Sequence, residues 1–411
     1  MTALGDLDAA RADLEAALTS IEPEVRACET TRPNDDAMAG FLKVGRWSKA
    51  RHSLLPTLPE MIARTGLIGA SAPLIHVGVG AKNLSLLETP FDLLDLVASR
   101  GTQAAMKALR FLALAETAEM VTTWLVWGLA VDGKRRLRDD IEIEAGQPPT
   151  AQEIHGRTYE ALPWHLQVDQ PLTVVRVFYS VPFVRFSHDD NIDGAELNRQ
   201  SSAAASLGND VVASLAICGP SPVIIERSWA TYRDADVAHL AGTTGRYIGF
   251  GEIKPRHLQS AKVGLDDEAA IAKIISARPE KRSRLTLAAA RLNTSLMRSS
   301  VGDKAIDLSI SFETLFWKAG DGGFRNRGAI KYRAKLILGG EYDGKRVGDA
   351  IESLFLLRNA VVHGERSASN VSAEERDAVM FCSRLCAEII RRVAMLPHWP
   401  SWDGKKLAGT A

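Results

Sequence analysis

The chain has 411 residues and a formal net charge of zero; 46% of its residues are hydrophobic and 24% are charged. This length accommodates two or three domains, and this composition is typical of an ordinary globular protein. The four cysteines are too few for a disulfide framework and lack paired metal-ligand spacing, so we interpret them as small core residues.

Residues 1–150 are predicted to be mainly helical. Their acidic, amphipathic start, MTALGDLDAARADLEAAL, lacks the apolar segment of a secretory signal, which favours a cytoplasmic protein. Residues 72–81 are predicted to form a strand, and residues 91–145 two helices, the second of them long. The most apolar helical stretch, residues 106–131, contains charged residues that leave an uncharged run too short to cross a membrane.

Residues 151–260 are predicted to form a β-rich module. The segment LTVVRVFYSVPFVRF, residues 172–186, is rich in β-branched and aromatic residues. Shorter segments of the same kind follow at residues 210–219, 221–229 and 245–253, with turn residues between them. We therefore predict a small antiparallel sheet in this part of the chain.

Residues 261–400 are predicted to form an all-α domain, because helical periodicity repeats between glycine-rich connections. The predicted helices lie near residues 265–278, 281–298, 302–318, 327–338, 346–363 and 372–396. The whole chain is thus predicted to be an α+β multidomain protein. An N-terminal helical and antiparallel β-rich region precedes an all-α helical bundle.

The zero net charge hides an asymmetry between the two parts of the chain. Residues 1–250 carry 23 Lys and Arg against 31 Asp and Glu, whereas residues 251–411 carry 27 against 19. This imbalance favours the C-terminal part as the partner of a polyanion such as RNA. The alternative is that the two oppositely charged parts dock on each other.

An acidic turn at residues 189–200 partly fits a calcium-binding loop. Asp189, Asn191 and Asp193 occupy ligand positions, but Gln200 stands where such a loop requires a bidentate Glu. A strand pattern rather than a helix precedes the segment. We interpret it as an Asp/Asn/Gly turn and predict no metal site.

The segment LLRNAVVHGE, residues 356–365, places Arg358 five residues before His363. A histidine titrates near neutral pH and can move protons, and an arginine is a permanent planar cation that suits phosphate oxygens. Cleavage of RNA by its own 2′-OH needs both kinds of group. The pair therefore supplies both kinds of group.

This Arg-to-His spacing is unspecific by itself, because similar spacings begin at Arg46, Arg233 and Arg391. Context distinguishes the copy that ends at His363. It closes a strongly apolar predicted helix, and Gly364 follows as a predicted helix stop. The helices that precede it carry further features of one protein family.

Three segments of the C-terminal part resemble the Apea-like group of HEPN domains (higher eukaryotes and prokaryotes nucleotide-binding). KAIDLSISFETLFW, residues 304–317, is similar to that group's A-x-D-L-x-I-x-x-E-x-L helix, and IKYRAKLILGG, residues 330–340, to its next helix. LFLLRNAVVHGE resembles the closing Y-x-L-R-[NS]-x-x-V-H-G, with Phe355 in place of the Tyr. The resemblance covers about residues 285–395, and residues 1–260 show none.

The resemblance implies a metal-independent endoribonuclease without a cofactor. His363 would act as general acid or base, and Arg358 would stabilise the phosphorane formed when the 2′-OH attacks the adjacent phosphorus. The product would be a 2′,3′-cyclic phosphate, and Asn359 would position rather than react. Because Apea-like proteins are associated with defence against phage, the resemblance also implies a bacterial defence or toxin-like effector with an N-terminal sensing region.

Helix geometry predicts how these residues are arranged. Residues five apart lie about 140° apart around an α-helix, so Arg358 and His363 do not share a face, whereas Asn359 and His363 do. In HEPN families two chains pack with their motifs facing one groove, so the resemblance implies a homodimer with a composite site. Glu313, on a neighbouring helix, is expected to orient a partner. The residues expected to hold RNA phosphates are Arg325, Arg327, Lys331 and Arg333.

Plainer interpretations of the same residues stay open. A His near a helix C-terminus is favoured by the helix macrodipole, whatever its chemistry. Glu313 can be a buried hydrogen-bonding residue, and the basic residues of 325–335 can be a solvated face. Many HEPN domains are non-catalytic dimerisation or nucleotide-binding modules, so the alternative function is a dimerising adaptor.

Overall fold

The computed structural model describes residues 4–29, 57–68, 74–77, 80–84, 89–146, 172–186, 194–219, 221–241, 244–247, 260–316 and 327–402. An antiparallel sheet in the N-terminal half and a helical C-terminal region confirm the predicted α+β class. The described helices are α1 (Leu4–Glu29), α2 (Leu58–Arg64), α3 (Thr89–Arg100), α4 (Thr102–Leu114), α5 (Gly194–Ser214), α6 (Ala235–Ala241), α7 (Leu265–Ile275), α8 (Pro279–Met297), α9 (Val301–Phe316), α10 (Arg327–Leu338), α11 (Gly344–Val362) and α12 (Ala373–Met395). The described strands are β1 (Leu74–Val77), β2 (Gly80–Asn83), β3 (Thr117–Trp127), β4 (Leu129–Ala130), β5 (Lys134–Arg138), β6 (Ile141–Gly146), β7 (Leu172–Pro182), β8 (Arg185–Phe186), β9 (Ile224–Tyr232), β10 (Thr244–Tyr247) and β11 (Ala261–Lys262).

The larger sheet contains six of these strands in the order β10-β9-β3-β7-β6-β5, and all neighbours in it are antiparallel. Strand β3 is near the centre, with Val126 opposite Thr173 of β7 and Trp127 opposite Ile224 of β9. Both β3 and β7 are rich in β-branched and aromatic residues, which pack well on a pleated surface. The strands predicted at 172–186 and 221–229 are confirmed, and only the first residues of the strand predicted at 245–253 lie in the described part.

The predicted long helix across residues 106–131 is wrong. Helix α4 ends at Leu114, and β3 begins at Thr117. This strand is buried on both faces, since Trp124 packs in the core that contains α5 whereas Leu125 belongs to a separate cluster. A strand buried on both faces is a continuous apolar run without alternation, so its pattern resembles that of a buried helix.

The predicted division near residue 150 falls inside the larger sheet. Strands β3, β5 and β6 precede that residue, and β7, β9 and β10 follow it. The two segments that were assigned to a helical region and to a β-rich module therefore supply strands to one sheet. Strands β1 and β2, where one strand was predicted at residues 72–81, form a separate small sheet with β8.

The predicted strand at residues 210–219 is also wrong. The segment is the end of α5 followed by a 3₁₀ turn at Leu215–Cys218. Its β-branched valines suggested a strand, but Val211, Val212 and Leu215 have the spacing of one helix face and are all buried in the core. Burial of that face outweighs the weak strand preference of the valines.

Helix α5 approaches the sheet closely at Gly208. A Cβ atom on this glycine would lie 2.0 Å from Cη2 of Trp124, a side chain that is almost fully buried. No real Cβ atom tolerates such a distance, so the residue at this position must lack a side chain.

We expect Gly208→Ala to lower the free energy of unfolding by about 2 to 3 kcal/mol, because the added methyl group overpacks the core. Gly328→Ala in α10 is the matched control, since nothing lies within 4 Å of a Cβ there. That change should be neutral or stabilise the protein by up to about 1 kcal/mol. Urea denaturation measures both variants, and equal stabilities would contradict the close approach at Gly208.

Helices α7 to α12 form the predicted C-terminal bundle, and their bounds match the predicted helices to within a few residues. Helix α12 lies at its centre and contacts each of the other five. A capping box explains where α12 begins: Glu375 N–H donates to the Ser372 hydroxyl (3.2 Å), and Ser372 N–H donates to the Glu375 carboxylate (2.9 Å).

The bundle and the sheet share one hydrophobic core. Trp124 and Val175 of the sheet, Leu215 after α5, Leu308 of α9 and Ile389 of α12 all belong to the same buried cluster. The C-terminal helices therefore pack directly on α5 and the sheet rather than forming a core of their own.

Arg391 of α12 makes a polar connection within this shared core. Its guanidinium donates to the carboxylates of Asp267 (2.6 Å) and Glu388 (3.0 Å) and to the carbonyl of Ile217. Asp267 is itself almost fully buried and also accepts from Gly264 N–H (3.0 Å), which caps α7. One side chain thus joins α12, α7 and the 3₁₀ turn after α5.

A second hydrophobic cluster contains residues of α1, α3, α4 and α6 at the other end of the sheet. Helix α1 is joined to α4 through Glu22, whose carboxylate accepts from the amide (3.0 Å) and the hydroxyl (2.8 Å) of Thr102. These hydrogen bonds lower the pKa of Glu22. Within the described residues, no helix combines the length and apolar character needed to cross a membrane.

Candidate functional site

Helix α11 carries the Arg-to-His motif and ends as predicted at His363 and Gly364. The amide of Glu365 donates to the Ala360 carbonyl (2.9 Å), and the amide of Gly364 donates to the Val361 carbonyl (3.1 Å). Gly364 has a φ of 71°, a left-handed conformation that favours glycine. This is a Schellman termination, which fixes His363 at the C-cap position, directly after the last helical residue, Val362.

Arg358 and Glu313 lie near each other where α11 packs against α9. Arg358 is half-buried, and its Nη1 donates to Oδ1 of the adjacent Asn359 (2.9 Å). Burial raises the pKa of the Glu313 carboxyl, and the positive charge of Arg358 opposes that shift. The structure therefore brings these three predicted residues together: the guanidinium donates to the amide oxygen and lies close enough to the half-buried carboxyl to affect its pKa.

His363 lies outside that group, exposed on the surface at the C-terminal end of α11. Its backbone amide donates to the carbonyl of Asn359 (2.9 Å), which continues the helical hydrogen bonds to the last turn. Asn359 and His363 are four residues apart and share a helix face, whereas Arg358 packs towards α9. The exposed imidazole is open to a partner molecule.

The predicted phosphate-binding residues differ in their binding partners and in their exposure. Arg327 and Lys331, one turn apart on α10, both bind the carboxylate of Glu352 on α11, at 2.9 and 2.7 Å. All three side chains are about one third exposed. Arg325 lies outside the described residues.

The prediction for Arg333 is wrong, because this residue is only 7% exposed. Its guanidinium donates to the carbonyl of Phe316 at the end of α9 and lies 6.0 Å from the ring of Trp402. It satisfies a helix terminus inside the bundle, where no RNA phosphate can reach it. Its sequence neighbours gave no sign of this, because burial of an arginine depends on the helices that surround it.

Apolar side chains surround the motif on the surface of the bundle. Leu356 and Val362 of α11 are 54% and 51% exposed. On α9, Ile306 and Ile310 are partly buried and precede Glu313 at helical spacing. Exposed apolar residues in a group often mark an interaction surface.

Glu352 is a residue of the candidate site that the sequence interpretation missed. Its pKa is lowered, first by the hydrogen bond from Lys331. The four-residue spacing of Arg327 and Lys331 signals two cations on one face of a helix, which is a pattern that calls for an anion. The partner itself comes from another helix, and sequence spacing cannot identify it.

The rival Arg-to-His spacings have structural explanations where they are described. Arg391 is held in the core as above, and Arg392 binds Glu388 (2.6 Å) and the Leu338 carbonyl (2.7 Å). The guanidinium of Arg233 lies 5.0 Å from the ring of Phe178. The copy that begins at Arg46 falls outside the described residues.

The other candidate ligands are placed as follows. Cys382 and Cys386 are buried in the bundle as expected of core residues, and burial raises the pKa of the Cys386 thiol to about 12. Of the segment predicted to be an Asp/Asn/Gly turn, residues 189–193 lie outside the described part and residues 194–200 begin α5. Among the residues that the structure describes, no three His, Cys, Asp or Glu side chains are grouped closely enough to hold a metal ion.

No protein-family model matches this chain, and no curated protein or solved structure matches it either. The functional assignment therefore depends on the residues and their geometry.

Proposed function

We propose that the protein is an endoribonuclease of HEPN type, with His363 and Arg358 as its catalytic residues. The observation that carries this proposal is the arrangement at the end of α11. An exposed imidazole lies on the surface at the C-cap of the helix, and about one turn earlier a guanidinium donates to Asn359 and lies near Glu313. These are the two functional groups that cleavage of RNA by its own 2′-OH requires.

His363 and Arg358 have separate roles in the proposed reaction. In the first step a general base takes the proton of the 2′-OH, the oxygen attacks phosphorus, and the 5′-oxygen leaves with a proton from a general acid. His363 can serve as either group, and the planar fork of Arg358 suits the oxygens of the phosphorane. Asn359 would position Arg358 through the hydrogen bond between their side chains. The reaction gives a 2′,3′-cyclic phosphate and a free 5′-OH.

A homodimer with a composite site is part of the proposal. Arg358 packs towards α9 and His363 lies on a different side of α11, so one copy of the motif does not place both groups around one phosphate. A second copy, packed on the exposed apolar side chains around the motif, would supply the missing group. Leu356 and Val362 support this arrangement, because both are apolar and more than half exposed.

We expect the purified protein to cut RNA in the presence of EDTA. The proposed reaction needs only proton transfer and a fixed cation, and both come from side chains. Total RNA would be incubated with the protein in EDTA, and the ends of the fragments would be analysed for 2′,3′-cyclic phosphate. Cleavage that stops in EDTA and returns with Mg²⁺, or fragments with 3′-OH ends, would contradict the proposed mechanism.

The second candidate function is a dimerising adaptor without catalysis. The exposed Leu356 and Val362 of α11 favour it equally, because they need only a second chain and no reaction. An inactive protein that is dimeric in solution would support the adaptor, and RNA cleavage would rule against it. The role in bacterial defence against phage rests on analogy with Apea-like proteins alone.

A further inference from the structure

Glu352 is the only described carboxylate bonded to both Arg327 and Lys331. Each carboxylate oxygen accepts from one of the two cations, at 2.9 Å from Arg327 Nη1 and 2.7 Å from Lys331 Nζ. A phosphate group with two free oxygens could accept from the same two donors in the same way. The carboxylate thus occupies the place that an external anion would take.

This group lies on the same face of α11 as the end of the motif. Glu352, Leu356, Asn359 and His363 follow one another at spacings of four, three and four residues, which is the repeat of one helix face. With a rise of about 1.5 Å per residue, Glu352 is about 10 Å from Asn359 and about 16 Å from His363 along the helix axis. An RNA strand that reaches His363 can therefore pass over Glu352.

We propose that Arg327 and Lys331 form a phosphate-binding subsite and that Glu352 occupies it until an RNA backbone phosphate displaces the carboxylate. This inference rests on the proposed function and extends it, because it assigns a place where RNA is held away from the cleaved bond. It also makes Glu352 a residue that weakens RNA binding and sets its salt dependence.

Displacement of Glu352 requires little energy. The three side chains are each about one third exposed, and ion pairs at such positions contribute little to stability and are screened by salt. The hydrogen bond from Lys331 lowers the pKa of Glu352, so the carboxylate is charged at neutral pH and holds the cations when RNA is absent. Lys335, one further turn along α10, is exposed and continues the row of cations.

The test is RNA binding by a variant that lacks only the competing charge. We would measure binding of a labelled oligouridylate by fluorescence anisotropy in EDTA, with His363→Ala present in every protein so that RNA is not cut. Glu352→Gln should bind about two- to fivefold more tightly, which corresponds to the loss of one weak ion-pair competitor. The plot of log K against log salt should become steeper by about 0.7 to 1.4, because one or two more cations neutralise phosphates.

Asp132→Asn is the matched control. Asp132 lies between β4 and β5, outside α10 and α11, and binds Lys262 (2.7 Å), so the change raises the net charge by the same amount. It should leave affinity and salt dependence almost unchanged. Equal gains in RNA affinity from the two variants would show that net charge alone causes the effect, which would overturn the proposal. Unchanged or weaker RNA binding by Glu352→Gln would also overturn it.

Thermal melts would show whether Glu352→Gln alters folding. A second variant tests the subsite independently of Glu352. Arg327→Gln combined with Lys331→Gln should weaken binding and flatten the salt dependence, and unchanged binding would overturn the proposal. An oligodeoxythymidylate should show the same pattern, because phosphate contacts do not distinguish RNA from DNA.

Failure of this inference and failure of the proposed function are distinguishable. If the protein with an intact His363 cuts RNA but Glu352→Gln and Asp132→Asn bind alike, the subsite is wrong and the ribonuclease stands. If the protein cuts no RNA but Glu352→Gln binds it more tightly with a steeper salt dependence, the subsite is supported. The protein would then be an RNA-binding module.

Discussion

Replacing His363 by alanine should lower the rate of RNA cleavage at least about a hundredfold and leave the fold intact. General acid–base catalysis by one histidine contributes about 10²- to 10⁴-fold, and arginine and asparagine side chains do not serve as general acids or bases near neutral pH. The side chain is exposed at the end of α11, so its loss should cost about 1 kcal/mol or less in stability. Cleavage and thermal melting would be measured on the same preparation.

His398→Ala is the matched control for this experiment. His398 is also exposed and also follows an arginine at similar spacing, but its arginines are held in ion pairs within the bundle. We expect the His398 variant to cut RNA at the rate of the wild type. Full activity of the His363 variant would show that the catalytic assignment is wrong, and unfolding of that variant would point to a structural role.

Variants of the neighbouring residues should rank by the chemistry of each group. Arg358→Lys keeps the positive charge but loses the planar fork, so cleavage should fall strongly. Asn359→Ala removes the acceptor of the Arg358 hydrogen bond and should have a smaller effect. A reversed order would show that Asn359, rather than Arg358, meets the substrate.

Arg391→Met should destabilise the protein by about 3 kcal/mol, the largest loss we expect from a single ion pair. The change retains much of the aliphatic side chain but leaves Asp267 almost buried with one partner fewer. Removing one partner of a buried pair costs much more than the pair contributes, because an uncompensated charge stays inside. Urea denaturation monitored by circular dichroism would measure the loss.

Arg376→Met provides the comparison, since Arg376 lies on the same helix and is exposed. Its replacement should change the free energy of unfolding by less than about 0.5 kcal/mol. Similar small losses for both variants would show that the connection of Arg391 to Asp267 and Ile217 contributes little to holding α12, α7 and the 3₁₀ turn together.

The C-terminal helices were predictable because residues close to each helix end specify where the helix begins and stops. The Ser372 and Glu375 capping box begins α12, Asp343 caps α11, and Gly364 ends it. Each of these signals acts over a few residues and needs no knowledge of the rest of the fold. Strand β3 lacked such a signal, since an apolar run buried on both faces has no periodicity that separates it from a helix.

The candidate site shows the same division between local and distant information. The spacing of Arg358 and His363 is local, so the sequence was sufficient to propose both as candidates. Burial of Arg333 and the pairing of Glu352 with Lys331 depend on how α9, α10 and α11 pack. Local sequence contains no signal for contacts between separate helices, so these assignments required the structure.

The position of β3 determines when the protein can complete its fold during synthesis. Its partner strands come later in the chain: Thr173 lies opposite Val126, and Ile224 lies opposite Trp127. The strand therefore leaves the ribosome before either neighbour exists, with apolar residues on both sides. Pairings between distant segments form slowly, and unpaired apolar strands are prone to aggregate. Because α12 packs into the same core, full burial of β3 must wait until nearly the whole chain has been made. Cellular yield of the protein should thus respond to chaperone supply more than its final stability suggests.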